Sequence, residues 1–163
     1  MMMENEILEL LEDNSNLAPE DIATMIGASV EEVEEKINHL EATNVIVKYN
    51  TLIDWDKTNR ETVTAFIDVK VTPERDLGFD AVAKRIYKFP EVKSVYLMSG
   101  GYDLSVEVED RTMKEVALFV AEKLATIDHI NSTSTHFMLK TYKKDGVIFK
   151  GEQHENERLA VSP

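Results

Sequence analysis

The sequence predicts an α+β chain: an N-terminal winged helix-turn-helix followed by a ferredoxin-like βαββαβ sandwich. Three observations carry that prediction. Apolar residues repeat at helical spacing from Ile7 to Leu40, the period changes to two near residue 62, and elements then follow as strand-helix-strand-strand-helix-strand. The boundaries are a winged helix-turn-helix at 1–50, a linker at 51–61, the sandwich at 62–142 and a polar tail at 143–163.

Ile7, Leu8, Leu10 and Leu11 form the stripe of the first helix, and Asn14-Ser15-Asn16 ends it. Pro19 suits the start of the second, where a missing N–H costs nothing. Ile22, Ala23 and Ile26 point inward, and Gly27 closes that helix in a tight turn. Ser29 can cap the third helix, with Glu32 completing a capping box. Val30, Val33, Ile37 and Leu40 continue the apolar stripe until Asn44, a residue type that tolerates left-handed geometry. The stretch "VIVKYN" at 45–50 then reads as the first strand of a wing.

Turn-forming polar residues surround Trp55 in the linker, and its ring is expected to pack on a domain surface. In the next strand Val63, Ala65, Ile67, Val69 and Val71 share one face and Phe66 takes the other. Residues 76–89 return to helix, with Phe79, Val82, Ala83 and Ile86 inward, until Pro90. Strands at "VKSVYLM" and "YDLSVEVE" flank the turn "SGG". A helix at 112–125 is expected to bury Met113, Val116, Ala117, Val120 and Leu124, and "STHFMLKTY" is the final strand. Helices cover one face of such a sheet. Phe66, Tyr96 and Met98 on the other face are candidates for an oligomer interface.

The formal net charge is −13, and residues 1–49 alone carry 12 acidic and 2 basic side chains. The chain's acidity is thus concentrated in the helix-turn-helix. There is no cysteine, which excludes disulfides and thiolate chemistry. The acidic start and the lack of a long apolar run point to a cytoplasmic protein with no membrane partner. His39, His129, His136 and His154 lack metal-ligand spacing with one another. Asp54 and Asp56 are explained by turn capping beside Trp55. No phosphate-cradling loop or nucleophile elbow is present. No catalytic residue, metal site or cofactor is therefore expected, and the chain is not expected to be an enzyme.

The third helix reads Ser29, Val33, Glu34-Glu35-Lys36, Ile37, Leu40-Glu41 and Asn44-Val45-Ile46. The turn in the sandwich reads Ser99-Gly100-Gly101-Tyr102-Asp103, and Ile130 is followed by Thr133 and Thr135. In this order, over roughly residues 4–142, the motifs resemble the Lrp/AsnC family of feast/famine transcriptional regulators. Two departures stand out. Glu34 and Glu35 occupy positions commonly basic in the family, and His129 replaces a glycine.

The resemblance implies a ligand-responsive regulator of double-stranded DNA. It further implies a homodimer formed through the sheets, of the kind that in the family often assembles further into octamers, with an amino acid bound near the glycine turn. Base reading and phosphate contact need donors, here Ser29, Lys36, Asn38, His39 and Lys48. The effector site would comprise Ser99, Gly100, Gly101, Tyr102 and Asp103, whose backbone N–H groups and carboxylate suit an amino acid's two charged ends, with Thr133 and Thr135. Carboxylates repel phosphates at close range, so duplex binding is expected to be weak or context-dependent. The alternative is an oligomeric small-molecule sensor or protein-interaction module with a degenerate acidic helix-turn-helix.

Overall fold

Ile7 and Leu11 on α1 (Met2–Asp13), Ile22 and Ala23 on α2 (Pro19–Ile26), and Val33 and Leu40 on α3 (Val30–Ala42) are buried together. They form the core of the first of two units, which divide between Ile53 and Asp54. The computed structural model describes residues 2–72 and 78–149. The sequence-predicted helix start at 76 and the tail beyond 149, His154 included, lie outside them.

Local chemistry sets the joints of the first unit. Gly27 takes φ +70° after α2 and its N–H donates to the Ala23 carbonyl, a left-handed stop that glycine makes without Cβ strain. Ser29 Oγ accepts from the Glu32 N–H at 3.2 Å, while the Ser29 N–H donates to Glu32 Oε2 at 3.1 Å. The Ser29 backbone bond holds the Glu32 carboxyl below its ordinary range. Such a cap contributes about 1 kcal/mol. Asn44 ends the turn beyond α3 at φ +56°.

The wing strand expected at 45–50 is not formed. Among the described residues no strand lies between α3 and Val63. The Val45 and Ile46 N–H groups instead donate to the Leu40 carbonyl. The Tyr49 hydroxyl donates to Glu41 Oε1 at 2.7 Å, and Ser15 Oγ donates to the Asn50 carbonyl at 2.9 Å. The physical reason is that a strand needs a returning partner. The chain supplies instead a 3₁₀ turn at Trp55–Lys57.

The second unit is a four-stranded antiparallel sheet in the order β2-β3-β1-β4, with β1 Val63–Val71, β2 Val92–Leu97, β3 Leu104–Asp110 and β4 Ile130–Phe137. Ala65, Ile67, Val69 and Val71 are buried with Leu104, Val106 and Val108. Val82 and Ile86 of α4 (Phe79–Ile86) and Val116 and Phe119 of α5 (Met113–Phe119) complete that core. This is the ferredoxin-like arrangement. Among the described residues, no helix is long and apolar enough to cross a membrane. Trp55 is partly exposed, with the Arg60 guanidinium 4.3 Å over its ring and Arg60 Nη2 2.7 Å from Glu109.

Three further expectations need correction. Met113 and Ala117 are exposed, and Phe119 is buried in their place. Phe119 meets Phe89 edge-on at 5.5 Å, and a wider turn follows at Val120–Leu124, rotating the stripe. The last strand begins at Ile130, not 134, and ends at Phe137 opposite Ala65, after one more bond from the Met138 N–H to the Thr64 carbonyl. The tail predicted from 143 opens with a hairpin, β5 (Lys143–Lys144) and β6 (Val147–Ile148). Asp145 and Gly146 have φ +47° and +79°, and positive φ at both central residues suits a two-residue hairpin turn.

His129 stands at φ +74°, which accounts for the glycine that the resembled family places there. A non-glycine residue in that region is strained by roughly 1–2 kcal/mol, part of which glycine's greater unfolded-state freedom offsets. His129→Gly is therefore expected to raise unfolding stability by about 0.5–1 kcal/mol, measured by urea denaturation. An unchanged or lower midpoint would mean that the imidazole's own contacts outweigh the strain.

Candidate functional site

Helix α3 presents Glu31, Glu34, Glu35, Asn38 and His39 outward, while Val33 and Leu40 face the core. Asn38 and His39 are the exposed side chains among them that can donate hydrogen bonds. Ser29 is engaged at both its hydroxyl and its N–H by the capping box. Lys36 lies on the flank nearer the core, its Nζ 3.2 Å from Glu4 Oε1 on α1. That ammonium holds the Glu4 carboxyl below its ordinary range. The one lysine of the helix is thus already neutralised, a pairing across 32 residues that helical spacing could not reveal. Lys48 is exposed on the irregular run after α3. Its neighbour Tyr49 is held to Glu41, and partial burial with that carboxylate pushes the phenol up to about 12, so it stays a neutral donor.

The turn between β2 and β3 has a different construction. Ser99, Gly100 and Gly101 are exposed, and Gly100 adopts φ +140°. A Cβ at either glycine would meet nothing within 4 Å. Asp103 fastens the turn to the sheet. Its Oδ2 accepts from the Val71 N–H at 2.8 Å, its own N–H donates to the Val69 carbonyl at 3.0 Å, and its carbonyl accepts from the Met98 N–H at 2.8 Å. One carboxylate oxygen is therefore committed to β1. Tyr102 is half-buried beside it. Thr133 and Thr135 sit opposite Val69 and Ile67, so they share the helix-facing side of the sheet. Thr133 lies across Val69 of β1 from Leu104, two strand spacings or about 9.5 Å away along the row, and Asp103 stands one residue beyond that row. Within one chain the threonines and the turn do not converge.

The other side of the sheet is uncovered by the helices. Phe66, Tyr96 and Met98 are 40%, 57% and 41% exposed. Phe66 stands in register with Glu107 and His136, and Tyr96 with Ser105. His136 Nε2 is 3.0 Å from Asp68 Oδ2, and Ser94 Oγ donates to Glu107 Oε2 at 2.9 Å. The polar groups thus have partners inside the chain, leaving the aromatics as its apolar surface. Sequence reading missed the Asp68–His136 pair. A signal existed, since both residues fall on the Phe66 face once β1 and β4 pair antiparallel.

Comparison with known proteins supplies the context for these elements. The Lrp/AsnC ligand binding domain model matches residues 64–148, a span that includes the glycine turn and the hairpin. The HTH-type transcriptional regulator YugG of Bacillus subtilis is 53% identical over 161 residues, covering 98% of this chain and 96% of its own. An AsnC family transcriptional regulator from Agrobacterium tumefaciens superimposes with TM-score 0.69 at 26% identity, covering 87% of this chain and 92% of that one. A transcriptional regulator of Neisseria meningitidis, solved as its L-Met complex, gives TM-score 0.71 at 22% identity, covering 87% and 91%.

Proposed function

Because the chain belongs to the Lrp/AsnC family of transcriptional regulators, we propose that it binds double-stranded DNA as a homo-oligomer whose assembly answers to an amino acid. The observation that carries the reading is the union, in one chain, of a capped three-helix unit of helix-turn-helix type and a module matching the family's ligand binding domain. Asn38 and His39 would meet base edges, with Lys48 on a phosphate. Ser29 would set the helix start. The free N–H groups of the 99–101 turn would hold the effector's carboxylate, Asp103 would orient its ammonium, and Tyr102 would wall the site. Thr133 and Thr135 would come from a neighbouring subunit, since within one chain they stand apart from the turn. The Neisseria relative was solved with L-Met, which supports an amino acid as the effector class.

Nothing in this reading needs a catalytic group. The role of the ligand is to change how reader units are spaced, and a change in affinity for DNA can only be as large as the ligand's preference for one arrangement. Gel shifts with DNA from upstream of the protein's own gene, with and without each amino acid, test the whole reading. At least one amino acid should alter the shifted species.

The turn itself makes a sharper prediction. Gly101→Val meets open space at an ordinary φ, so it should leave folding within about 0.5 kcal/mol of wild type. Gly100→Val is strained by its φ of +140° and should lose about 1–3 kcal/mol. In isothermal titration against the amino-acid panel, Gly101→Val should weaken binding at least tenfold while leaving assembly intact. An unchanged titration would remove the turn from the site. No heat from any amino acid with folded, oligomeric wild type would count against the effector reading itself.

A further inference from the structure

The β5–β6 hairpin carries a surface that the family reading does not use. Lys143 pairs with Ile148 and Lys144 with Val147 across the two strands. Directly opposed residues share a face, so each side of the hairpin presents one ammonium beside one aliphatic side chain. Val147 and Ile148 are both more than half exposed. A two-stranded hairpin this short is marginal in water unless something packs against it.

A complementary surface exists in the first unit. Between α1 and α2 is an open hollow of about 390 Å³, lined by Leu10, Met25 and Ile26 with Glu6 and Glu9. Its apolar residues match the hairpin's aliphatics, and its two carboxylates match the two lysines. The wider field agrees, since the first 49 residues hold 12 acidic against 2 basic side chains. We propose that the hairpin of one chain docks in the α1–α2 hollow of a second copy. A nucleic-acid backbone would use the lysines but leave Val147 and Ile148 against phosphate and water, so a protein surface of mixed chemistry fits better. The contact would link the ligand module of one copy to the DNA-reading unit of the next, without covering Asn38 or His39 on α3. It rests on the oligomer reading above only in requiring that copies meet.

The test mixes full-length protein of natural isotope content with uniformly ¹⁵N-labelled protein and treats the mixture with a zero-length carbodiimide cross-linker. Mass spectrometry should find heavy–light amide links from Lys143 or Lys144 to Glu6 or Glu9. Lys143→Glu with Lys144→Glu should abolish these links and lower the largest assembled species in sedimentation, while a sheet-mediated dimer persists. Adding Glu6→Lys with Glu9→Lys to that variant should restore the large species. Links absent, or confined to single copies, in a wild-type protein that still dimerises would overturn the docking and leave the oligomer reading standing. A monomeric wild type would sink both. Assembly unchanged by the lysine reversals, with weaker binding to random duplex, would make the hairpin a phosphate contact and the proposal wrong.

Discussion

Replacing Glu34 and Glu35 by arginine is expected to tighten binding to a random duplex by about ten- to a hundredfold at low salt. Both carboxylates are exposed on the outward face of α3, and the helix's only lysine is already paired with Glu4. The wild-type helix therefore offers phosphates repulsion with no nearby compensation. Two new phosphate contacts should steepen the dependence of log affinity on log salt by about 1.8, at roughly 0.9 per contact. The fold should survive. Arginine is a good helix former, the Ser29–Glu32 box is untouched, and both positions lie beyond the first turn, where the helix dipole acts most strongly. Fluorescence anisotropy at two salt concentrations measures both effects. Tight wild-type binding to random DNA, unaltered by the double change, would show that these glutamates face away from the duplex.

What could be read from the sequence was mostly local chemistry. Pro19 fixes its turn through its own ring, and Gly27, the Ser29–Glu32 box and Asn44 fix theirs through bonds to residues at most four positions away. Strict alternation in β1 and β3 likewise declares a buried face without reference to any partner. The failures fall where a partner decides. The α5 stripe could lean toward Ala117 or Phe119, and it is the Phe89 ring that draws Phe119 inward. "VIVKYN" has strand-forming residues, yet strand structure also requires a neighbour, and Tyr49 is bonded to Glu41 instead. The hairpin is the exception, because Asp145-Gly146 between short β-forming runs is a local signal. The polar composition of the tail obscured it.

The candidate sites divide in the same way. Exposure of Asn38 and His39 follows from helical period once Val33 and Leu40 are placed inside. The engagement of Lys36 by Glu4, and of Asp103 by the Val71 N–H, spans 32 residues in each case and follows from tertiary structure. Both bonds change the chemistry on offer. The first pairs off the one lysine of α3, and the second makes Asp103 a structural clamp before it is anything else. His129 shows the reverse. Its departure from the family's glycine was visible in the sequence, but only the backbone angle gives that departure a physical meaning.

Phe66→Glu combined with Tyr96→Glu is expected to raise the dimer dissociation constant by at least about a hundredfold. Both rings stand on the uncovered face of the sheet, and the charged groups around them are already engaged. Asp68 is bonded to His136, and Glu107 to Ser94, so this face can enter an interface without stranding those carboxylates. Buried interface aromatics commonly contribute about 2 kcal/mol or more each when they act as hot spots. A two-fold interface brings the same patch from both copies together, so every substitution acts twice. Four new carboxylates would then need burial without partners, beside two existing Glu107 side chains. Their effect on the folded monomer should be small, because both positions are exposed and point away from Ile67 and Val106 in the core. Sedimentation equilibrium should show wild type at least dimeric at micromolar concentration and the variant monomeric, with circular dichroism unchanged. A variant that still dimerises would place the interface on another surface, and a monomeric wild type would remove the premise altogether.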